Sequence, residues 1–99
     1  MVNKESIFDI TVELFGIPRM SCKTNSVKLE VSADHELKDV INDLSDYFPQ
    51  LVGVAIQDNR SALLDSYVFN LNGKQFLSDG ALNLQAGDRL LLFSSLAGG

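Results

Sequence analysis

The sequence predicts a two-layer α+β domain in which one amphipathic helix packs across a single sheet. Two segments near the start alternate apolar and polar residues with the period of a β-strand. The segment 37–48 instead repeats its apolar residues at helical spacing. Three further apolar-rich runs follow, with turn residues between them, which completes the predicted order β-β-α-β-β-β.

The first two strands are predicted to form a hairpin with a loop longer than the minimal two residues. The apolar positions that alternate along them are Phe8, Ile10, Val12, Leu14, Val27, Leu29 and Val31. Gly16 and Pro18 end the first strand. The stretch from Arg19 to Asn25 mixes polar and small residues, so we expect a loop that contains Cys22.

The helix is predicted to end near Phe48, because Pro49 cannot continue it. Ser32 or Asp34 is expected to cap its start. The apolar stripe comprises Leu37, Val40, Ile41, Leu44 and Phe48. A single stripe of this kind fits a helix that covers one face of a sheet.

Residues 50–66 have the least regular pattern. A short strand over 52–56 and a helical turn over 61–64, joined by a turn at Asp58-Asn59, are expected because long structureless loops are uncommon.

Asn72-Gly73 predicts a tight hairpin, since both residues tolerate positive φ. A two-residue loop would pair Leu71 with Lys74 and place Phe69 and Phe76 on a shared face. Further turns are expected at Asp79-Gly80 and over 85–88, with Leu82 and Leu84 against the core.

Composition limits the possible functions. The 99 residues are expected to form one domain, 1–99, and 45% hydrophobic with 21% charged residues is ordinary for a soluble protein. A net charge of −5 argues against direct nucleic-acid binding and favours a partner with a basic face. A lone cysteine and the lack of a signal peptide or membrane-length apolar run predict a cytoplasmic location.

The polar residues offer no convincing catalytic group. His35 is the only histidine and is expected to be a solvated first-turn residue and not a metal ligand. Cys22 is interpreted as an ordinary thiol, and Ser94-Ser95 lacks the Gly-x-Ser-x-Gly context of a nucleophile. The helix carboxylates are expected to form a solvated face: Asp39, Asp43 and Asp46. The sequence therefore predicts no metal site and no bound cofactor.

The last eleven residues form the candidate functional segment. An apolar run from Arg89 leads into a small, uncharged tail, 95–99, which is expected to be flexible and to expose the Gly99 carboxylate. Gly98 and Gly99 lack β-carbons, so their backbone can enter a narrow site on a partner.

The strand before the tail offers a partner-binding surface. If Leu90 and Leu92 point into the core, alternation turns Leu91 and Phe93 outward. Together with Leu96 and Ala97 they would form an apolar patch for a partner. The alternative is that the protein itself covers both faces of this strand, as in many parallel sheets.

Three features together resemble a known family: the helix ending in Phe48-Pro49, the Asn72-Gly73 hairpin, and the run from Leu84 to Gly99. Over nearly the whole chain, the sequence resembles the MoaD/ThiS family of ubiquitin-like proteins. The resemblance implies a ubiquitin-like β-grasp fold, with a mixed four- to five-stranded sheet and one main helix on one face.

The resemblance also implies a sulfur carrier without catalytic residues of its own. An E1-like enzyme of the MoeB/ThiF kind would use ATP to adenylate Gly99, and sulfur would then replace AMP to give a thiocarboxylate. The chain looks most like the small subunit of molybdopterin synthase, whose large subunit, or another sulfur-accepting enzyme, would be its next partner.

Alternatives stay open at the level of pathway and class. Many molybdopterin synthase small subunits carry Pro-Pro where this chain has Ser94-Ser95. A carrier for thiamine, cysteine or tRNA thiolation is the alternative within the class. Two alternatives lie outside the class of sulfur carriers: a protein modifier conjugated through Gly99, and a plain binding module whose tail has no function.

Overall fold

A computed structural model describes residues 7–77 and 82–95 of the chain. Within these ranges, five strands form one sheet, with one main helix, one short helix and a 3-10 turn. The strands are β1 Ile7–Leu14, β2 Ser26–Ser32, β3 Tyr67–Leu71, β4 Gln75–Phe76 and β5 Arg89–Ser94. The helices are α1 Ile17–Cys22 and α2 Leu37–Tyr47, and the 3-10 turn is Pro49–Leu51.

The sheet is mixed, with strand order β2-β1-β5-β3-β4. β1 and β2 form the predicted antiparallel hairpin, from Ile7 opposite Ser32 to Glu13 opposite Ser26. β5 lies at the centre, parallel to β1 and antiparallel to β3. The strand that leads into the tail is therefore held by hydrogen bonds on both sides.

The core lies on one face of this sheet. Side chains that are at most 1% exposed come from four strands and from α2, and they include Ile10, Val12, Leu14, Val31, Phe69, Leu90, Leu92, Val40, Ile41 and Leu44. Full burial of one such side chain is worth about 1.5–3 kcal/mol. The predicted two-layer arrangement, with α2 covering one side, is confirmed.

The start of α2 differs from the prediction. Its N-cap is Glu36, which forms a capping box with Asp39: the Glu36 N–H donates to the Asp39 carboxylate at 2.8 Å. Ser32 and Asp34 bond instead to each other at 2.5 Å, so the expected caps were wrong. The helix ends at Tyr47, and Pro49 opens the 3-10 turn, as expected of proline.

The stretch over 19–25, which was expected to be a loop, overlaps the helix α1, Ile17–Cys22. Pro18 lies in the first turn of this helix, where a proline loses no hydrogen bond and its fixed φ favours the start. Lys23, with φ 58°, ends the helix and donates its N–H to the Arg19 carbonyl at 2.9 Å. Gly16 and Pro18 follow the end of β1, as predicted, and Pro18 also lies at the start of a helix that the sequence did not predict.

The segment after α2 is compact without a regular strand. Leu51, Ala55 and Ile56 are fully buried. The predicted strand over 52–56 and the helical turn over 61–64 are wrong: Val52 and Leu63 each form only an isolated bridge, both to Ile56. The turn at 58–59 is confirmed.

The Asn72-Gly73 turn is present, but its register differs from the prediction. Asn72 and Gly73 have φ of 58° and 74°, and the Lys74 N–H donates to the Leu71 carbonyl at 2.9 Å. Leu71 nevertheless pairs with Gln75, because Lys74 adds one residue before β4.

This one-residue shift separates the two phenylalanines. Phe76 lies opposite Asn70, so it points away from the core, whereas Phe69 is 1% exposed within it. The predicted shared face was wrong.

The approach to β5 agrees with the sequence where the structure describes it. Leu82 and Leu84 are buried, and Gly87, with φ 85°, forms the expected turn. The predicted turn at Asp79-Gly80 lies outside the described residues.

Candidate functional site

The two faces of β5 have different surroundings. Leu90 and Leu92 are fully buried against the core. Leu91 and Phe93 lie on the opposite face of the sheet and are half-buried. The predicted alternation is confirmed, and the protein covers the second face only in part.

Three phenylalanine rings form a row across that second face. Phe93 lies in the middle and meets Phe15 and Phe76 edge to face, with ring centroids 6.1 and 6.0 Å apart. We call this row, with Leu91 and Val68, the aromatic face. Val68 belongs to it because it pairs directly with Phe93.

The aromatic face is accessible at one end. Phe76 is 63% exposed on β4, a strand of only two residues. Ile17 and Met20 of α1 are exposed as well. A contiguous apolar patch such as the aromatic face is typical of a surface that binds a partner.

The aromatic face is continuous with the strand that leads to the tail. The Phe15 N–H donates to the Leu92 carbonyl at 3.2 Å, and the Ser95 N–H donates to the Ser66 carbonyl at 2.8 Å. The chain therefore leaves the sheet beside the aromatic row. Leu96, Ala97, Gly98 and Gly99 lie outside the described residues, so their predicted roles stay predictions.

His35 lies elsewhere, between β2 and α2, and is not a solvated first-turn residue. It precedes the N-cap Glu36, and its Nδ1 accepts the Ser32 N–H at 3.1 Å. Its Nε2 lies 3.5 Å from the Asp43 carboxylate. A ring held on both sides connects the strand to the helix, so a structural role accounts for it.

The other polar candidates also have structural partners. Asp39 belongs to the capping box, Asp43 faces His35, and Asp46 lies 3.7 Å from Arg60. These three carboxylates therefore serve separate contacts. Among the residues that the structure describes, no group of three potential ligands could hold a metal ion.

Cys22 is half-buried at the end of α1. Burial raises the pKa of its thiol above the ordinary value, because the thiolate loses solvation. A raised pKa leaves less thiolate at neutral pH, which suits a structural thiol better than a nucleophile.

Within the described ranges, none of the helices has the length and apolar character needed to cross a membrane.

The fold defines a class of protein. A mixed five-stranded sheet with a parallel central pair and a helix across one face is the ubiquitin-like β-grasp fold, as the sequence resemblance implied.

Solved structures give closer likenesses. The chain is similar to the crystal structure of SAMP1 from Haloferax volcanii, with a TM-score of 0.76 and 25% identity over 92% of this chain and 99% of that one. It is also similar to small archaeal modifier protein 1 from Methanosarcina acetivorans, with a TM-score of 0.72 and 24% identity over 95% and 99%. No protein-family model and no curated protein matches the sequence.

Proposed function

We propose that this chain is a ubiquitin-like sulfur carrier whose Gly99 carboxylate is adenylated by an E1-like enzyme and converted to a thiocarboxylate. One observation supports the proposal above the others: the half-buried Leu91 and Phe93 lie on the strand that leads into the Gly98-Gly99 tail. A partner that covers the aromatic face would therefore hold the end of β5, from which the tail starts, at a fixed distance from its own active site.

The chemistry takes place on the partner. Attack of the Gly99 carboxylate on the α-phosphorus of ATP forms an acyl-adenylate and releases pyrophosphate. A persulfide sulfur then attacks the acyl carbon, AMP leaves, and reduction of the resulting acyl disulfide by a thiol frees the thiocarboxylate. Adenylyl transfer to the carboxylate, followed by acyl transfer to sulfur, thus replaces one difficult step. The carrier supplies only the acyl group, so it needs neither a metal ion nor a general base.

Gly98 and Gly99 would serve as the slender part of the substrate. Without β-carbons, their backbone can pass through a channel that would exclude larger residues. Leu91, Phe93, Leu96 and Ala97 would bind the partner surface around the channel entrance. The stable sheet would hold this surface in place while the tail reacts.

Molybdopterin synthesis is the pathway we propose, because the sequence resembles the small subunit of molybdopterin synthase. The large subunit of that enzyme would then accept the sulfur. A thiamine, cysteine or tRNA-thiolation pathway would use the same carrier chemistry with another accepting enzyme.

Protein modification is the second candidate function. The observation that favours it is the likeness to SAMP1, which is named a small archaeal modifier protein. In this case a lysine amine, instead of sulfur, would attack the activated Gly99, and AMP or an enzyme thiol would leave. Both functions share the adenylation step and differ in the nucleophile.

Intact mass spectrometry tests these functions. The chain is incubated with ATP, an E1-like enzyme from the same genome and a sulfur donor. A sulfur carrier gains about 16 Da, because sulfur replaces one oxygen of the carboxylate. The control is a chain with Gly98→Ala and Gly99→Ala, which should react more slowly although its fold is unchanged. Lysine-linked adducts would favour the modifier, and an unchanged mass would contradict both.

A further inference from the structure

Asn70 is an anomaly on the aromatic face. Its side chain is 6% exposed, and its Oδ1 atom is buried without a hydrogen-bond partner. Ser32 and Ser45 are also buried polar residues among those described, and both make side-chain hydrogen bonds. A buried acceptor without a donor lowers stability, so its presence calls for an explanation.

Asn70 lies on the side of the sheet that faces away from the core. Phe69 points into the core, so alternation places Asn70 on the opposite side of the sheet. Its direct cross-strand neighbours are Phe76 on β4 and Leu91 on β5. The unpaired oxygen is therefore set within the aromatic face, between two apolar residues of the proposed docking surface.

The fold itself has no evident need for an amide here. Asn is among the residues depleted in strands, and an apolar side chain would fill the same place beside Phe76 and Leu91 without burying an unpaired oxygen. An asparagine that weakens the free chain but offers an acceptor to a partner is consistent with a recognition role.

We propose that Asn70 is a specificity determinant that accepts a hydrogen bond from an arginine on the activating enzyme, a proposal that rests on the proposed function. The guanidinium would donate to Oδ1 while its plane lies against the ring of Phe76. Guanidinium groups both stack on aromatic rings and donate from a flat edge, whereas an ammonium is more strongly hydrated.

Charge and access support this choice of partner. The chain carries a net charge of −5, which attracts a basic surface. Phe76 is 63% exposed on an edge strand of two residues, so its ring can change rotamer without disturbing the core. Such a rotation, common for exposed side chains on the nanosecond scale, uncovers the neighbour directly across the strand.

The first test replaces the amide with an apolar side chain of similar size. Asn70→Leu should raise the Tm of the free chain by about 4–8 °C, since it removes a buried unpaired acceptor. The same variant should raise KM for adenylation by the E1-like enzyme at least about tenfold and leave kcat unchanged. Asn42→Leu, on the exposed side of α2, is the matched control and should leave KM unchanged.

The second test determines whether the group on the activating enzyme that donates to Asn70 is positively charged. Asn70→Asp puts a carboxylate in the same place, so Tm should fall, while KM stays at or below the value of the unaltered chain because the arginine gains an ion pair. A rise in KM as large as that of Asn70→Leu would overturn the guanidinium assignment.

Two results would overturn the role of Asn70 altogether. A loss of Tm in Asn70→Leu would mean that the amide is satisfied within the free protein. An unchanged KM in this variant would mean that no partner uses it. Neither result bears on the proposed function, which fails only if the unaltered chain gains no sulfur in the same assay.

Discussion

The two faces of the sheet are built from the same strands but differ in how completely the protein covers them. On the helix side, Leu90 and Leu92 of β5 are fully buried. On the other side, Leu91 and Phe93 of the same strand are half-buried, and Phe76 is largely exposed. Alternation alone assigns these residues to faces, and α2 decides which face becomes the core.

Because of this difference, one side of β5 contributes mainly to the stability of the fold and the other side is available to bind a partner. Residues on the helix side contribute to the free energy of unfolding. Residues on the aromatic face retain accessible surface, which a partner can bury. We expect substitutions on the two sides of β5 to change different measurable quantities.

The largest effect is expected on the helix side. Leu92→Ala should lower the free energy of unfolding by about 2–5 kcal/mol, because it leaves a cavity in the core. Leu91→Ala, one residue earlier on the same strand, should lower it by less than half as much. Urea denaturation of both variants measures the ratio, and equal losses would contradict the division between the faces.

An intermediate effect is expected on the aromatic face, in function and not in stability. Phe76→Ser should raise KM for adenylation about tenfold, which corresponds to about 1.4 kcal/mol of lost binding. Its Tm should change little, because the ring is mostly exposed. Tyr47→Ser, an exposed aromatic at the end of α2, is the control. If both variants raise KM equally, the aromatic face is not the docking surface.

The smallest effect is expected for the ion pair between Arg89 and Glu13, on neighbouring strands of the same face. Glu13→Gln should lower the free energy of unfolding by about 0.2–1 kcal/mol, as is typical of a surface pair. The loss should shrink at high salt, where the pair is screened. Chemical denaturation at low and high ionic strength measures it, and a loss that is independent of salt would contradict an electrostatic origin.

The sequence was sufficient to predict the main elements and the two sides of β5. Strand and helix periods specify β1, β2, α2 and β5, because burial of one face requires apolar residues at fixed spacing. Leu90 and Leu92 could be assigned to the core in the same way. These assignments follow from local chain geometry, so they can be predicted from a single sequence.

The errors arose where long-range contacts decide the structure. The Asn72-Gly73 turn is held by hydrogen bonds across 16 and 17 residues: the Asn72 side chain donates to Asp88 at 3.2 Å and accepts the Arg89 N–H at 2.9 Å. No local pattern reports such contacts. The six-residue helix α1 was missed for a related reason, since it is too short to show a helical period.

Asn70 illustrates a limit of another kind. In the sequence it is one polar residue within the apolar-rich run Tyr67–Leu71, and a polar side chain in a strand is ordinarily expected to face solvent. Its direct cross-strand neighbours, Phe76 and Leu91, belong to two other strands, so its surroundings depend on pairing that the local sequence does not show. The only feature of the sequence that could have drawn attention to Asn70 is that it is a polar residue in the apolar run that precedes the Asn72-Gly73 turn.

The position of β5 also has a consequence for biosynthesis. β5 is the last strand of the sheet in chain order and joins β1 to β3, so a nascent chain that stops before Arg89 lacks the middle of its sheet. The surface around Phe93 forms only when this strand has been inserted. An enzyme that recognises this surface would thereby select chains that contain β5 over translation products that stop before it, with no separate proofreading step.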